Sequence, residues 1–65
     1  MKIFACYCRN GLVICAARSK EEAYGAMVMS DDSLKYKYKA DDFYEIKGTS
    51  YDGDYPCMLA EGSGE

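Results

Sequence analysis

The stretch MKIFACYCRNGLVICAA (Met1–Ala17) decides the fold. Two apolar, β-prone runs, Lys2–Cys8 and Leu12–Ala17, flank Asn10-Gly11. Asn-Gly between such runs predicts a β-hairpin, because a type I′ turn needs φ > 0 at both central residues. A turn centred there sets Arg9 opposite Leu12, Cys8 opposite Val13, Tyr7 opposite Ile14, Cys6 opposite Cys15 and Ala5 opposite Ala16. Side chains alternate along a strand, so Phe4, Cys6, Cys8, Val13, Cys15 and Ala17 share one face. Ile3, Ala5, Tyr7, Leu12, Ile14 and Ala16 share the other. Both faces are apolar, whereas a hairpin in a two-layer domain is normally apolar on one side only. More of this chain, a second copy or another protein must then cover the second face, unless single exposed apolar residues are simply tolerated there.

Downstream, Ser19-Lys20-Glu21-Glu22 has the S-x-x-E form of a capping box. Ser19 is expected to accept from the Glu22 N–H, and Glu22 to reach back to the Ser19 N–H. The helix should run to Met29 or Ser30, with Asp31-Asp32-Ser33 ending it. Ala23, Ala26, Met27 and Ser30 form its inner stripe, flanked by Tyr24 and Val28. Gly25 weakens a helix by roughly 1 kcal/mol relative to Ala, which suggests close approach of helix to sheet. The alternation in KYKYKA (Lys35–Ala40) suggests an extended segment or a loop. Phe43–Lys47 reads as a strand with Phe43, Glu45 and Lys47 on one side and Tyr44 and Ile46 on the other. After a turn-rich connection, Pro56 introduces a short strand, Cys57–Ala60. The predicted fold is α+β: a small antiparallel sheet in ββαββ order with one helix on a face. Residues 1–60 form one domain in this reading, and residues 61–65 a flexible tail.

A chain of 65 residues buries only about 60% of its unfolded surface, so its core is small. With 49% apolar and 29% charged residues, the composition is that of a folded protein. No apolar run approaches the roughly 18 residues that span a bilayer, and the N-terminus lacks the apolar core of a signal peptide. A cytoplasmic location and no membrane partner are expected. The chain has no His, which removes the commonest general base and the His-activated nucleophiles. No catalytic residues are assigned and no enzyme is expected. Residues 1–20 carry Lys2, Arg9, Arg18 and Lys20 and no acid, a charge of +4. The rest sets eleven acids against four lysines, a charge of −7. This balance disfavours direct nucleic-acid binding and favours a basic protein surface as partner.

Three groups of side chains could carry function. In the predicted register Cys6 and Cys15 form a cross-strand pair, and Cys6, Cys8 and Cys15 lie on one face. A disulfide, or a metal site completed by Cys57, is sterically open to them. Buried reduced thiols are the commoner state in a cytosolic protein, and the C-x₂-C spacing of zinc ribbons is absent. No metal and no cofactor are assigned. The second group is the seven tyrosines, too many for so small a core. Tyrosine is enriched in interfaces, although it also fills β positions at core edges. The third is the acids interleaved with aromatic residues. Together these give a candidate partner-binding set of Tyr36, Tyr38, Asp41, Asp42, Tyr44, Tyr51, Asp52 and Asp54. The plainer reading of the Asp pairs is that they are turn residues.

The layout of MKIFACYCRNGLVICAARSKEEAYG followed by DDFYEIKGTSYDGDYPCMLAEG resembles very small bacteriophage proteins of the anti-CRISPR and anti-defence type. The resemblance lies in size and element order. It implies a non-enzymatic viral inhibitor that binds a bacterial host protein or complex in the host cytoplasm, by steric occlusion or nucleic-acid mimicry. Homo-oligomerisation through the N-terminal hairpin fits the same sequence. Two other readings stand beside it. One is an oligomer that sequesters a signalling nucleotide with Arg9, Arg18 and Lys20 as anion contacts. The other is a cysteine-based metal or redox protein.

Overall fold

The computed structural model describes residues 1–8 and 11–63. In chain order the elements are β1 (Lys2–Cys8), β2 (Gly11–Ala17), α1 (Lys20–Ser30), a 3₁₀ turn (Asp32–Tyr36), a second 3₁₀ turn (Ala40–Asp42), β3 (Tyr44–Glu45) and β4 (Cys57–Ser63). The strands form one antiparallel sheet in the order β3-β1-β2-β4. The fold is therefore α+β, with the hairpin at the centre of the sheet and the helix on one face.

The hairpin forms, but in a different register from the one Asn10-Gly11 suggests. Cys8 pairs with Gly11, Cys6 with Val13, Phe4 with Cys15 and Lys2 with Ala17. Gly11 is thus the first residue of β2, and the residues between the strands are Arg9 and Asn10, which lie outside the described residues. The shift moves each partner by two positions and so leaves the face assignment intact. It does break the expected Cys6–Cys15 pair. Gly11 has φ +150°, and a Cβ built on it would run into the carbonyl oxygen of Gly62 in β4. Glycine is needed here for the approach of a neighbouring strand as well as for its backbone angle.

The helix matches its sequence signals. Ser19 Oγ accepts from the Glu22 N–H at 3.2 Å. The Glu22 carboxylate reaches one residue further back than expected, to the Arg18 N–H at 3.0 Å, and faces the Arg18 guanidinium at 3.8 Å. Ala23, Ala26 and Met27 are buried, while Ser30 is exposed. A Cβ added to Gly25 would meet nothing within 4 Å, so close approach to the sheet does not account for this glycine.

The KYKYKA segment is not extended. Asp31 accepts from the Ser33 N–H at 3.1 Å and the Ser33 hydroxyl at 2.6 Å, which opens a 3₁₀ turn through Tyr36. Leu34 and Tyr38 then enter the core at 3% and 4% exposure, while Tyr36 stays 82% exposed. The core lies between the sheet and this helical layer: Phe4, Cys6, Val13, Cys15 and Ala17 from the hairpin, Ala23 and Met27 from α1, then Leu34, Tyr38 and Phe43. The strand expected over Phe43–Lys47 is regular only at Tyr44–Glu45, with Ile46 N–H bonded to the Ile3 carbonyl at 2.8 Å. The last strand is longer than expected. Glu61, Gly62 and Ser63, expected in the tail, continue β4 opposite Val13, Leu12 and Gly11, while residues 64–65 lie outside the described residues. A bulge in β4 leaves Leu59 between Met58, opposite Cys15, and Ala60, opposite Ile14.

Candidate interaction surfaces

The ladder pairings define what each sheet face presents, because directly opposed residues share a face. On the side away from the helix, one row reads Ile46, Ile3, Ala16, Cys57 from β3 across to β4. The next reads Tyr44, Ala5, Ile14, Ala60. The third reads Tyr7, Leu12, Gly62. No charged side chain falls in these rows. The charged residues of the described strands, Lys2, Glu45 and Glu61, pair with Ala17, Phe4 and Val13 and so lie on the helix side. Lys2 and Glu45 face each other there at 3.8 Å. This inverts the usual arrangement, in which the charged residues of an antiparallel sheet face away from its covering layer.

The two 3₁₀ turns pack against α1 on the helix side, so no helical element covers the uncharged face. Ile3, Leu12 and Ile14 are half-buried, while Tyr7 and Tyr44 are 72% and 51% exposed. One end of the face is bordered by the connection from β3 to β4. The amino group of Met1 donates to the Tyr51 carbonyl at 2.7 Å, and the Tyr51 N–H donates to the Met1 carbonyl at 2.8 Å. The Tyr51 ring lies against Gly53, and its phenol bonds with Cys57, which raises the phenol above its ordinary range. Beyond that end, the two rows containing Tyr44, Ile14, Tyr7 and Leu12 carry the exposed aromatic area.

The candidate partner-binding residues do not form one patch. Tyr38 is a core residue, so it leaves the set. Tyr36, Asp41 and Asp42 are exposed on the helical layer, and Asp42 also accepts from the Lys39 N–H at 3.1 Å. Lys35 lies over the Tyr36 ring at 5.1 Å and faces Asp32 at 3.4 Å. Tyr44 belongs to the uncharged sheet face. Tyr51, Asp52 and Asp54 lie in the connection at the end of the sheet, with both aspartates exposed. The face rich in Ile, Leu and Tyr was foreshadowed by the two-sided hairpin. Its outer columns, Tyr44 with Ile46 and Cys57 with Ala60, required the pairing of strands distant in sequence.

Among the described side chains the cysteines build no reactive centre; the side chain of Cys8 lies outside the described ones. Cys6, Cys15 and Cys57 are not in disulfides. Cys15 is fully buried, and burial, followed by the nearby Cys57 and Cys6, pushes its thiol up to about 11. A thiol held protonated is neither a nucleophile nor a metal ligand at neutral pH. Among the described residues no group of three or more His, Cys, Asp or Glu side chains is placed to hold a metal. Of the proposed anion contacts, Arg18 is engaged by Glu22 and Arg9 lies outside the described residues. No described helix is long and apolar enough to cross a membrane. No family model, curated protein or solved structure matches the chain.

Proposed function

We propose that this chain is a non-enzymatic protein-binding module of the phage inhibitor type, acting on a bacterial defence complex in the host cytoplasm. The observation that carries this reading is the exposure of Tyr36, Asp41 and Asp42 on the helical layer, with Asp52 and Asp54 exposed separately in the connection. Tyr36 stands 82% exposed beside a layer that also exposes Asp41 and Asp42, and Asp52 and Asp54 are exposed beyond the sheet end. Apart from the turn-capping bond of Asp42, no described side-chain hydrogen bond or ion pair involves these four aspartates. Tyr36 carries Lys35 over its ring, and the exposed carboxylates of Asp41 and Asp42 on the same layer suit a basic protein groove of the kind that holds nucleic acid. The mechanism would be occlusion of that groove. Tyr44, on the opposite side of the sheet, is not part of this surface.

The test is inhibition of cleavage by a panel of reconstituted bacterial nucleic-acid-guided nucleases. A stoichiometric block by the wild-type chain is expected, weakened at least tenfold, about 1.4 kcal/mol, by Tyr36→Ala combined with Asp41→Lys. Circular dichroism should show an unchanged fold. Absence of inhibition across the panel, or full inhibition by the double variant, would count against this surface and mechanism.

A further inference from the structure

We infer that the connection from β3 to β4 is a strap over one end of the uncharged sheet face, held by Tyr51, and that withdrawing Tyr51 opens this end while the sheet stays folded. The inference concerns a movement of the fold and does not rest on the proposed inhibitor function.

Burial on the face calls for a cover. Ala16 carries the smallest side chain in its row and sits between Ile3 and Cys57, yet it is 0% exposed. Tyr7, on the same face at the hairpin end, is 72% exposed. No helical element lies on this side, so the cover over Ala16 comes from the connection. Tyr51 is placed to supply it. Its backbone is tied to Met1, which leads into β1, by the reciprocal bonds of 2.7 and 2.8 Å. Its phenol bonds with Cys57 on β4. Since β2 lies between β1 and β4, the side chain reaches across the end of β2, where Ala16 stands.

The rest of the connection is loosely attached. Among the described hydrogen bonds of residues 47–56, only those of Tyr51 reach beyond the connection; the Thr49 hydroxyl donates back to the Ile46 carbonyl. Lys47, Gly48, Thr49, Ser50, Asp52, Asp54 and Tyr55 are exposed. A segment with so little buried area opens locally at a lower cost than the paired strands beneath it. Gly53 offers a way to withdraw Tyr51 without altering it. The Tyr51 ring lies where a Cβ on Gly53 would be. Gly53 has no positive φ, so its backbone accepts a side chain, and what opposes one is the ring. Gly53→Ala therefore displaces the ring from its place.

Native-state hydrogen exchange on the wild-type chain tests the opening directly. The Tyr51 amide should be protected about tenfold or more weakly than the slowest amides of β1 and β2, and its exchange should not respond to low denaturant, the sign of a local opening. Gly53→Ala should weaken Tyr51 protection by a further factor of about ten or more and leave the β1 and β2 amides unchanged. Cys57 supplies a second readout. On a Cys8→Ser background the remaining thiols are Cys57, half-buried beside the phenol, and Cys6 and Cys15, both buried. Labelling of Cys57 by an aromatic disulfide reagent, located by mass spectrometry, should quicken with Gly53→Ala while Cys6 and Cys15 stay unlabelled. In a Tyr51→Ala chain Cys57 should label fast from the start, and adding Gly53→Ala should change nothing, since no ring is left to displace. Tyr51 protection equal to that of the hairpin, lost only with the whole fold, overturns the inference. So does a Gly53→Ala variant that leaves both rates unchanged, or one that weakens the β1 and β2 amides as much as Tyr51. An equal effect of Gly53→Ala with and without the Tyr51 ring overturns the role of Tyr51.

Discussion

At the scale of single residues, two glycines behave in opposite ways. Gly11 combines a positive φ with a Cβ position occupied by the Gly62 carbonyl oxygen. Gly11→Ala should therefore destabilise the protein by more than about 1 kcal/mol, since both backbone strain and displacement of β4 oppose it. Gly25 sits in α1 with open space around it and no positive φ. Gly25→Ala should stabilise by up to about 1 kcal/mol through helix propensity alone. Urea midpoints at constant m-value measure both, and the two substitutions should move the midpoint in opposite directions. The sequence showed that Gly11 was special but not why. A glycine in a turn and a glycine beneath a neighbouring strand look the same until the strand, here the last one, is placed. For Gly25 the local pattern invited a packing explanation that the surroundings do not support.

At the scale of elements, α1 was legible because its signals are local. Ser19, Glu21 and Glu22 act within one turn, and the buried stripe follows the helical period. Ser19→Ala should cost about 1 kcal/mol by leaving the Glu22 N–H without its cap, read from thermal unfolding followed at the helix signal. The Lys35–Ala40 segment stayed open between strand and loop because two periods overlap in it. Its alternation suggested a strand, yet Leu34 and Tyr38 are spaced by four and both reach the core, with the Tyr38 N–H bonded to the Leu34 carbonyl at 3.1 Å. The Asp31–Ser33 contacts settle the competition in favour of a turn. The end of β4 misled, and for a different reason. Glu61-Gly62-Ser63 has poor strand propensity and is held by pairing with β2, a tertiary effect that overrides it. Truncation after Ser63 should leave stability within about 0.5 kcal/mol. Truncation after Ala60 strips the ladder partners of Gly11, Leu12 and Val13 and should lower the melting temperature by several degrees, about 4–8 °C per kcal/mol for a domain of this size. Equal melting temperatures for the two truncations would mean that these residues contribute no pairing energy.

For the whole molecule, class and order followed from the hairpin, the capped helix and the late apolar runs. The register did not, because Asn10-Gly11 offers two adjacent turn placements and the choice is made by β4 closing over Gly11. With it goes the expected Cys6–Cys15 pair: Cys15 lies opposite Phe4 and Cys6 opposite Val13, and both thiols fill the core. This placement gives the protein a distinct alkaline limit. Cys15 ordinarily ionises near 9.0, and in the fold burial moves it up to about 11. Below pH 9 the thiol is protonated in both folded and unfolded chains and contributes no pH dependence. Between the two values the unfolded chain loses this proton while the folded chain keeps it, so stability falls as pH rises. It continues to fall until the folded thiol also ionises. The full loss is about 2–3 kcal/mol, a large part of the stability of so small a domain. Tyr51 shifts in the same direction through its bond with Cys57 and adds to the decline from a higher starting pH. Denaturant unfolding from about pH 8 to pH 11 should therefore give a falling free energy for the wild type. The slope should be shallower for Cys15→Ala, whatever that substitution does to absolute stability, and nearly unchanged for Tyr51→Phe until above pH 10. A level profile in the wild type would show that the core admits the thiolate as readily as water does, which a residue packed between Met58, Phe4 and α1 should not allow.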